Sequence, residues 1–408
     1  MVFNFVKIKK MEINNKLWTK SFITACIGNF MLFFAFYMLV PIFPLYLIDE
    51  HTTSKSLIGI LLASYTIAAL LIRPFAGFVL DMVYRKPIYL VAFFLFVVTF
   101  VGYPLANSIS IFLFFRILHG FTFGFVTTAG NSLVVDIVPA ERRGEGLGFF
   151  GVANTIAMAV GPMTGLYLHD HFSYDVIFYT AIGTGLLGFI FASMIKAENK
   201  SVKTKEYITW DRFFLFKGFK AGFTLMLMGI PYGMIVTYIA LFGREIGISS
   251  GTGLFFTIMA IGLTASRFIG GRLVDKGKLV QVINSGIALS MISFVMLAGL
   301  KYIDNKLTLL LVFYFISLLM GIGYGLIFPA YNTLFVNLAP NNRRATASST
   351  YMTSWDIGIG LGLVSGGWLA DSGGGLSLAY LAGGFVAGIS LLFFAKIAGP
   401  HFEKNKLR

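Results

Sequence analysis

The sequence predicts an all-α integral membrane protein of twelve transmembrane helices arranged as two related six-helix halves. Three observations carry that prediction. The chain has 408 residues, of which 57% are hydrophobic and 12% charged, with a mean hydropathy of +0.81. A soluble domain carries about 25% charged residues, so there is too little charge here to coat a water-facing surface. Second, the long apolar runs do not alternate, as in LVAFFLFVVTFVGY over 90–103. A membrane β-strand would alternate lipid-facing and lumen-facing residues. Lipid offers the backbone no hydrogen bonds, so these runs must be helices. Third, the two halves of the chain repeat.

A spanning helix needs about 20 mostly apolar residues. The spans fall near 18–48, 56–82, 86–105, 108–138, 144–168 and 174–196 in the first half. Those of the second half fall near 219–243, 252–275, 279–300, 307–337, 345–370 and 376–397. The first span, apolar from Ser21 to Ile48, is too long for the core of a cleavable signal. A basic segment, KAENKSVKTKEYITWDRFFLFK over 196–217, separates six spans from six. The expected organisation is a bundle over 1–196, a cytoplasmic linker over 197–218 and a second bundle over 219–408.

The repeat is legible residue by residue. Arg73, Gly77 and Asp81 match Arg267, Gly271 and Asp275 at an offset of 194. Gly120, Gly124, Asn131, Pro139, Arg142 and Arg143 match Gly321, Gly325, Asn332, Pro340, Arg343 and Arg344 at 201. Gly161, Gly165 and Asp170 match Gly362, Gly366 and Asp371 at the same offset. Two parallel six-span repeats are the plan of one large class of transporters.

The net charge of +14 is a topology signal and does not indicate nucleic-acid binding. With both termini placed inside the cell, the inner segments collect nearly all the lysines and arginines, and the outer connections hold only Lys55, Arg244, Lys301 and Lys306. The basic linker suits anionic lipid head groups. A lone cysteine, Cys26, allows no internal disulfide and no cysteine-based metal cluster. His169-Asp170-His171 is read as a solvated turn, so no metal is expected. No nucleotide-binding loop is present, and no cofactor is expected.

At this point the chain resembles the major facilitator superfamily over essentially its whole length. The loop after the second span is similar to that family's G-x-x-x-D-R-x-G-R-R/K signature in Gly77, Asp81, Arg85 and Lys86, with Met82 and Tyr84 as departures. The second copy keeps Asp275, Lys276, Gly277 and Lys278. The resemblance implies an inner gate latch at Asp81, supported by Arg85, Lys86, Asp275, Arg142 and Arg143. The alternative for Asp81 is a loop carboxylate that only sets topology. RILHGFTFG in the fourth span resembles the family's pattern of an arginine followed by two spaced glycines, in Arg116, Gly120 and Gly124. In drug/proton antiporters the matching arginine is tied to proton transfer; a role holding backbone carbonyls is the alternative. AVGPMTG in the fifth span partly matches an antiporter signature in Gly161, Pro162 and Gly165, while Ala157 and Leu166 depart from it. Ordinary close helix packing explains the same residues.

Ionisable groups at membrane depth are costly and are functional candidates. Arg73 and Arg267 lie one helix segment from the boundary acids, about 12 Å along the axis, and their stems can snorkel. Asp356 cannot, being about 18 Å and 22 Å from the nearest boundary charges. Its repeat counterpart is Thr155. Asp356 is therefore a candidate proton carrier with Arg73 or Arg116 as partner, or else one side of a permanent ion pair. Asn29, Tyr37, Asn131, Asn154, Tyr232, Tyr324, Tyr331 and Asn332, with Trp355, are the polar and aromatic groups at similar depth. The family resemblance implies a central cavity lined by the first, fourth, seventh and tenth helices.

The expected function is secondary active transport by alternating access. A proton-coupled export of small organic compounds by a monomer in the plasma membrane is the leading expectation. Uptake of a small nutrient is the alternative. A receptor without transport is disfavoured by gate motifs in both halves, and no enzymatic activity is expected.

Overall fold

The computed structural model describes residues 16–139, 142–197, 215–248, 250–340 and 344–407. Every regular element among the described residues is helical. Among the described residues ten helices are long and apolar enough to cross a membrane. One of these, running over Thr346–Asn405, contains two long helices, Arg344–Leu369 and Gly375–Phe393, joined by an irregular five-residue turn. The third span, Arg85–Val101, is 17 residues long and falls just short of that length. Counted this way, the helices accommodate the twelve expected spans.

The first span is bent, with helices Lys20–Leu39 and Ile42–His51 meeting at Pro41. Proline has no N–H to give the helical ladder, so the ladder breaks there. The third span explains why hydropathy alone could not orient these helices. Tyr89, Phe93, Phe96, Val97 and Phe100 are buried, while Val91, Phe94, Leu95, Val98 and Val101 are exposed. Both faces are apolar, as expected where one faces protein and the other lipid.

The chain forms two compact units. The first comprises Met1–Leu39, Ala68–Gly161 and Phe172–Lys205. Within it the first helix packs on the sixth span, Tyr174–Ser193, and the third span packs on the fourth, Ile109–Ile137, and on the sixth. The second unit comprises Val40–Ile67, Pro162–His171 and Glu206–Arg408. Its main seams join the eighth span, Gly253–Asp275, to the tenth, Lys306–Leu338, and the seventh, Phe219–Glu245, to the eleventh, Arg344–Leu369. It therefore takes in two short segments from the first sequence half, at the ends of the first, second and fifth spans.

The repeat seen in the sequence recurs in the packing. A Cβ on Gly124 would meet the Ala69 carbonyl oxygen at 2.7 Å, and one on its counterpart Gly325 would meet that of Leu263 at 2.5 Å. The fourth span thus touches the second as the tenth touches the eighth. A Cβ on Gly161 would stand 3.1 Å from the Phe34 carbonyl oxygen, and one on Gly362 would stand 2.0 Å from that of Ile230. The fifth span touches the first as the eleventh touches the seventh. These glycines are repeated because backbones meet there, and small residues are what permit close helix approach in lipid.

Candidate functional site: two polar centres

In the first unit, Arg116 is 4% exposed and His119, one turn later, is fully buried. The Tyr103 hydroxyl lies 2.6 Å from His119 Nδ1 and hydrogen-bonds with Arg116. A guanidinium only donates, so the Tyr103 oxygen accepts from Arg116. Phe36, Phe96 and Phe100 surround the imidazole at ring distances of 5.8, 5.0 and 5.1 Å. Arg116 was expected from sequence. Tyr103 and His119 were missed, although the histidine sits inside the quoted RILHGFTFG run.

The other first-unit candidates divide by environment. Asn29 is buried and donates to the Phe150 carbonyl at 3.1 Å, tying the first span to the fifth, Arg143–His171. Tyr37 is half-buried and packs on Phe33 and Phe36. The amide oxygen of half-buried Asn154 is shielded from solvent and has no hydrogen-bond partner among the described residues. Asn131 is exposed, and Arg73 is half-buried on the second span, Lys55–Met82.

At the gate motif, Gly77 has open space where a Cβ would stand. The side chains of Asp81 and Arg143 lie outside the described residues. Arg85 donates to Asp136 at 2.8 Å and to the Ser132 carbonyl at 3.4 Å, joining the start of the third span to the end of the fourth. Asp136 was not foreseen. It has no acidic repeat counterpart, because Asn337 stands 201 residues later. Lys86 is half-buried beside Arg85 and Asp275 is exposed. Arg142 pairs with Glu145 three residues on, at 2.8 Å.

In the second unit, Asp356 lies half-buried in the middle of the eleventh helix. Tyr351 is within Coulombic reach of both Asp356 and Arg267. Arg267 in turn is within reach of Tyr232. Four groups from the seventh, eighth and eleventh spans are thereby brought into one neighbourhood. From sequence, Arg267 counts among the arginines at membrane depth as the match to Arg73, and no partner is assigned to it. Trp355 packs against Tyr232 at 4.9 Å and Phe328 at 4.8 Å, and Tyr232 packs against Tyr324 at 5.0 Å.

Two of the expected cavity tyrosines spend their hydroxyls on protein. Tyr324 is fully buried and donates to the Met228 carbonyl at 3.2 Å. Tyr331 is fully buried and donates to Thr224 Oγ1 at 2.7 Å. Asn332, like its counterpart Asn131, is exposed.

The family model described as the Major Facilitator Superfamily matches residues 25–363 and, again, 223–407. The staphylopine export protein of Staphylococcus aureus (strain Mu50) is 22% identical, over 85% of this chain and 89% of that protein. The quinolone resistance protein NorA of Staphylococcus aureus (strain MRSA252) is 24% identical, over 84% and 88% respectively. Among solved structures, a mutant peptide transporter, POT, in complex with alafosfalin shares the fold with a TM-score of 0.78. It is 13% identical, and the match covers 97% of this chain and 98% of that one.

Proposed function

The chain belongs to the major facilitator superfamily, and from that premise we propose that it is a proton-coupled exporter of small organic compounds working by alternating access. It is a multi-pass membrane transporter and not an enzyme. The two six-helix halves over 1–196 and 219–408, joined by the linker 197–218, are the moving parts. The protein works as a monomer in the plasma membrane with both termini in the cytoplasm. Similarity to proteins named for staphylopine export and quinolone resistance supports the outward direction.

The observation that carries the coupling is the grouping of Asp356 with Tyr351 and Arg267. A carboxylate at membrane depth is retained at a cost, and a nearby guanidinium favours its charged form. Taking up a proton weakens its hold on that guanidinium, and substrate then competes for the vacated charge. Arg116 serves the same cycle from the first unit, as does Arg73. Tyr37, Asn131, Asn154, Tyr232 and Asn332 contact substrate. Asn29, Tyr324 and Tyr331 hold the helices that present them. Gly77, Asp81, Arg85, Lys86, Asp275, Arg142 and Arg143 form the inner gate.

Everted membrane vesicles energised to an acid interior test this reading. Adding a transported organic compound is expected to discharge the pH gradient only when the protein is present. Compound accumulation that rises in intact cells on expression, and survives a protonophore, would overturn export in favour of uptake.

A further inference from the structure

The repeated aspartates Asp170 and Asp371 take no part in the site above. Both stand at the end of a span, on the side the charge pattern assigns to the exterior, and both belong to the second unit. Asp371 faces the first residues of the second span. One of its oxygens accepts from the Lys55 N–H at 3.2 Å. The other accepts from the Ser56 N–H at 2.7 Å and from the Ser56 hydroxyl at 2.6 Å. Free N–H groups and the positive end of the helix dipole lie at this point, where a carboxylate is stabilised. The Lys55 ammonium pairs with Glu245 at the end of the seventh span, and Glu245 also accepts from the Leu376 N–H at 3.1 Å, at the start of the twelfth.

Asp170 is placed in a related way. It accepts from the Gly251 N–H at 3.2 Å, two residues ahead of the eighth span. Beside it, Arg244 donates through both terminal nitrogens to Asp49, at 2.8 and 2.9 Å, and lies 3.0 Å from His169 Nε2. Around these bonds the backbones touch. A Cβ on Gly367 would meet the Lys55 carbonyl oxygen at 2.1 Å, and one on Gly253 would meet that of Met163 at 3.1 Å. The carboxylates thus close seams between the two sequence halves: second span to eleventh, and fifth to eighth.

We propose that Asp371 and Asp170 are a repeat-related pair of outer latches, each tying the end of its own span to the start of a span from the other sequence half, with the Asp371 latch the stronger. The proposal rests on the alternating-access reading, in which these outer ends must part once in each cycle. It says nothing of direction or substrate. The two latches are unequal. Asp371 gathers three hydrogen bonds, whereas Asp170 gathers one backbone N–H and a contact with its neighbour His169.

The test is a labelling rate in purified full-length protein in nanodiscs, without substrate. Cys26→Ser clears the background, and Leu363→Cys places a reporter at a buried position of the eleventh span. Asp371→Ala is expected to speed reaction with a membrane-impermeant maleimide about tenfold, and Asp170→Ala about threefold. Unchanged rates in both would overturn the proposal, and a larger effect at Asp170 would overturn the ranking. A second measurement guards against misfolded variants. Ser56→Cys with Asp371→Cys, oxidised to a disulfide, is expected to stop transport in either direction, and a reductant to restore it. Transport that continues with the disulfide formed would overturn the latch while leaving the export reading intact.

Discussion

In the first unit a phenol, Tyr103, bridges a guanidinium, Arg116, and an imidazole, His119. In the second unit a phenol, Tyr351, lies within Coulombic reach of a guanidinium, Arg267, and a carboxylate, Asp356. The first centre is boxed in by phenylalanine rings. The second stands on half-buried positions. A tyrosine next to an arginine serves as a neutral spacer in both centres. What differs is the third member. A histidine in an aromatic box holds the tyrosine that meets the guanidinium without adding an anion, whereas an aspartate supplies one that can be charged or discharged. In the proposed cycle the first centre holds and the second exchanges.

The sharpest way to break that contrast is Asp356→Asn. Proton-driven transport is expected to fall by about a hundredfold, the scale of losing a positioned acid–base group. Substrate counterflow, which needs no proton, is expected to persist; loss of both in proteoliposomes would make Asp356 a structural group. Next in size is Arg267→Ala. Without the guanidinium the charged form of Asp356 is less favoured, so proton-driven rates are expected to drop about tenfold, with Arg267→Lys recovering part. Equal rates for all three proteins would remove Arg267 from the exchanging centre.

Tyr103→Phe probes the holding centre. Losing the hydroxyl leaves the imidazole nitrogen and the guanidinium short of a buried bond, a cost of about 1–3 kcal/mol. The loss is expected in thermal unfolding of the purified protein, with transport rates within about threefold. A collapse of coupling with no loss of stability would show that the first centre exchanges protons too.

The smallest expected effect is a pH dependence outside the membrane. Burial pushes the Asp371 carboxyl upward. The Ser56 hydroxyl, the N–H groups of Ser56 and Lys55 and the Lys55 charge outweigh burial and hold it below the ordinary aspartate value. Lys55, Glu245 and Tyr238 are the titratable groups around it. A depressed carboxylate contributes fully above its unfolded value and loses its contribution as pH falls through the folded one. The ratio of labelling rates at the Leu363→Cys reporter with and without Asp371→Ala, in which the thiol's own titration cancels, is therefore expected to stay flat from about pH 8 to about pH 5. A change in that ratio within the window would assign the latch to a group other than Asp371.

The architecture was legible because close backbone approach leaves a mark in sequence. Gly124 with Gly325, and Gly161 with Gly362, stand where any Cβ would strike a neighbouring helix. The pairings of polar groups left no such mark. Asp136 beneath Arg85, Glu245 beside Lys55 and Tyr351 near Arg267 are joined by the packing register of distant segments. No spacing along the chain encodes that register. The tyrosines illustrate the same limit. Tyr324 and Tyr331 sit at the depth expected of cavity residues, but hydroxyl direction follows from side-chain packing, and both turn into protein. Asp356 stood out because an aspartate in a long apolar run needs a local reason, whatever surrounds it.

The third span, with apolar side chains all the way round, has one more consequence. Rolled about its own axis, it would move no greasy group into water, because none faces water to begin with. Arg85 pins its first turn to Asp136, and beyond that its orientation is kept by fit: Phe93, Phe96 and Phe100 fill hollows that Val91, Leu95 and Val98 would leave empty. Shaving a methyl group from the inner face should therefore loosen the helix, and shaving one from the outer face should go unnoticed.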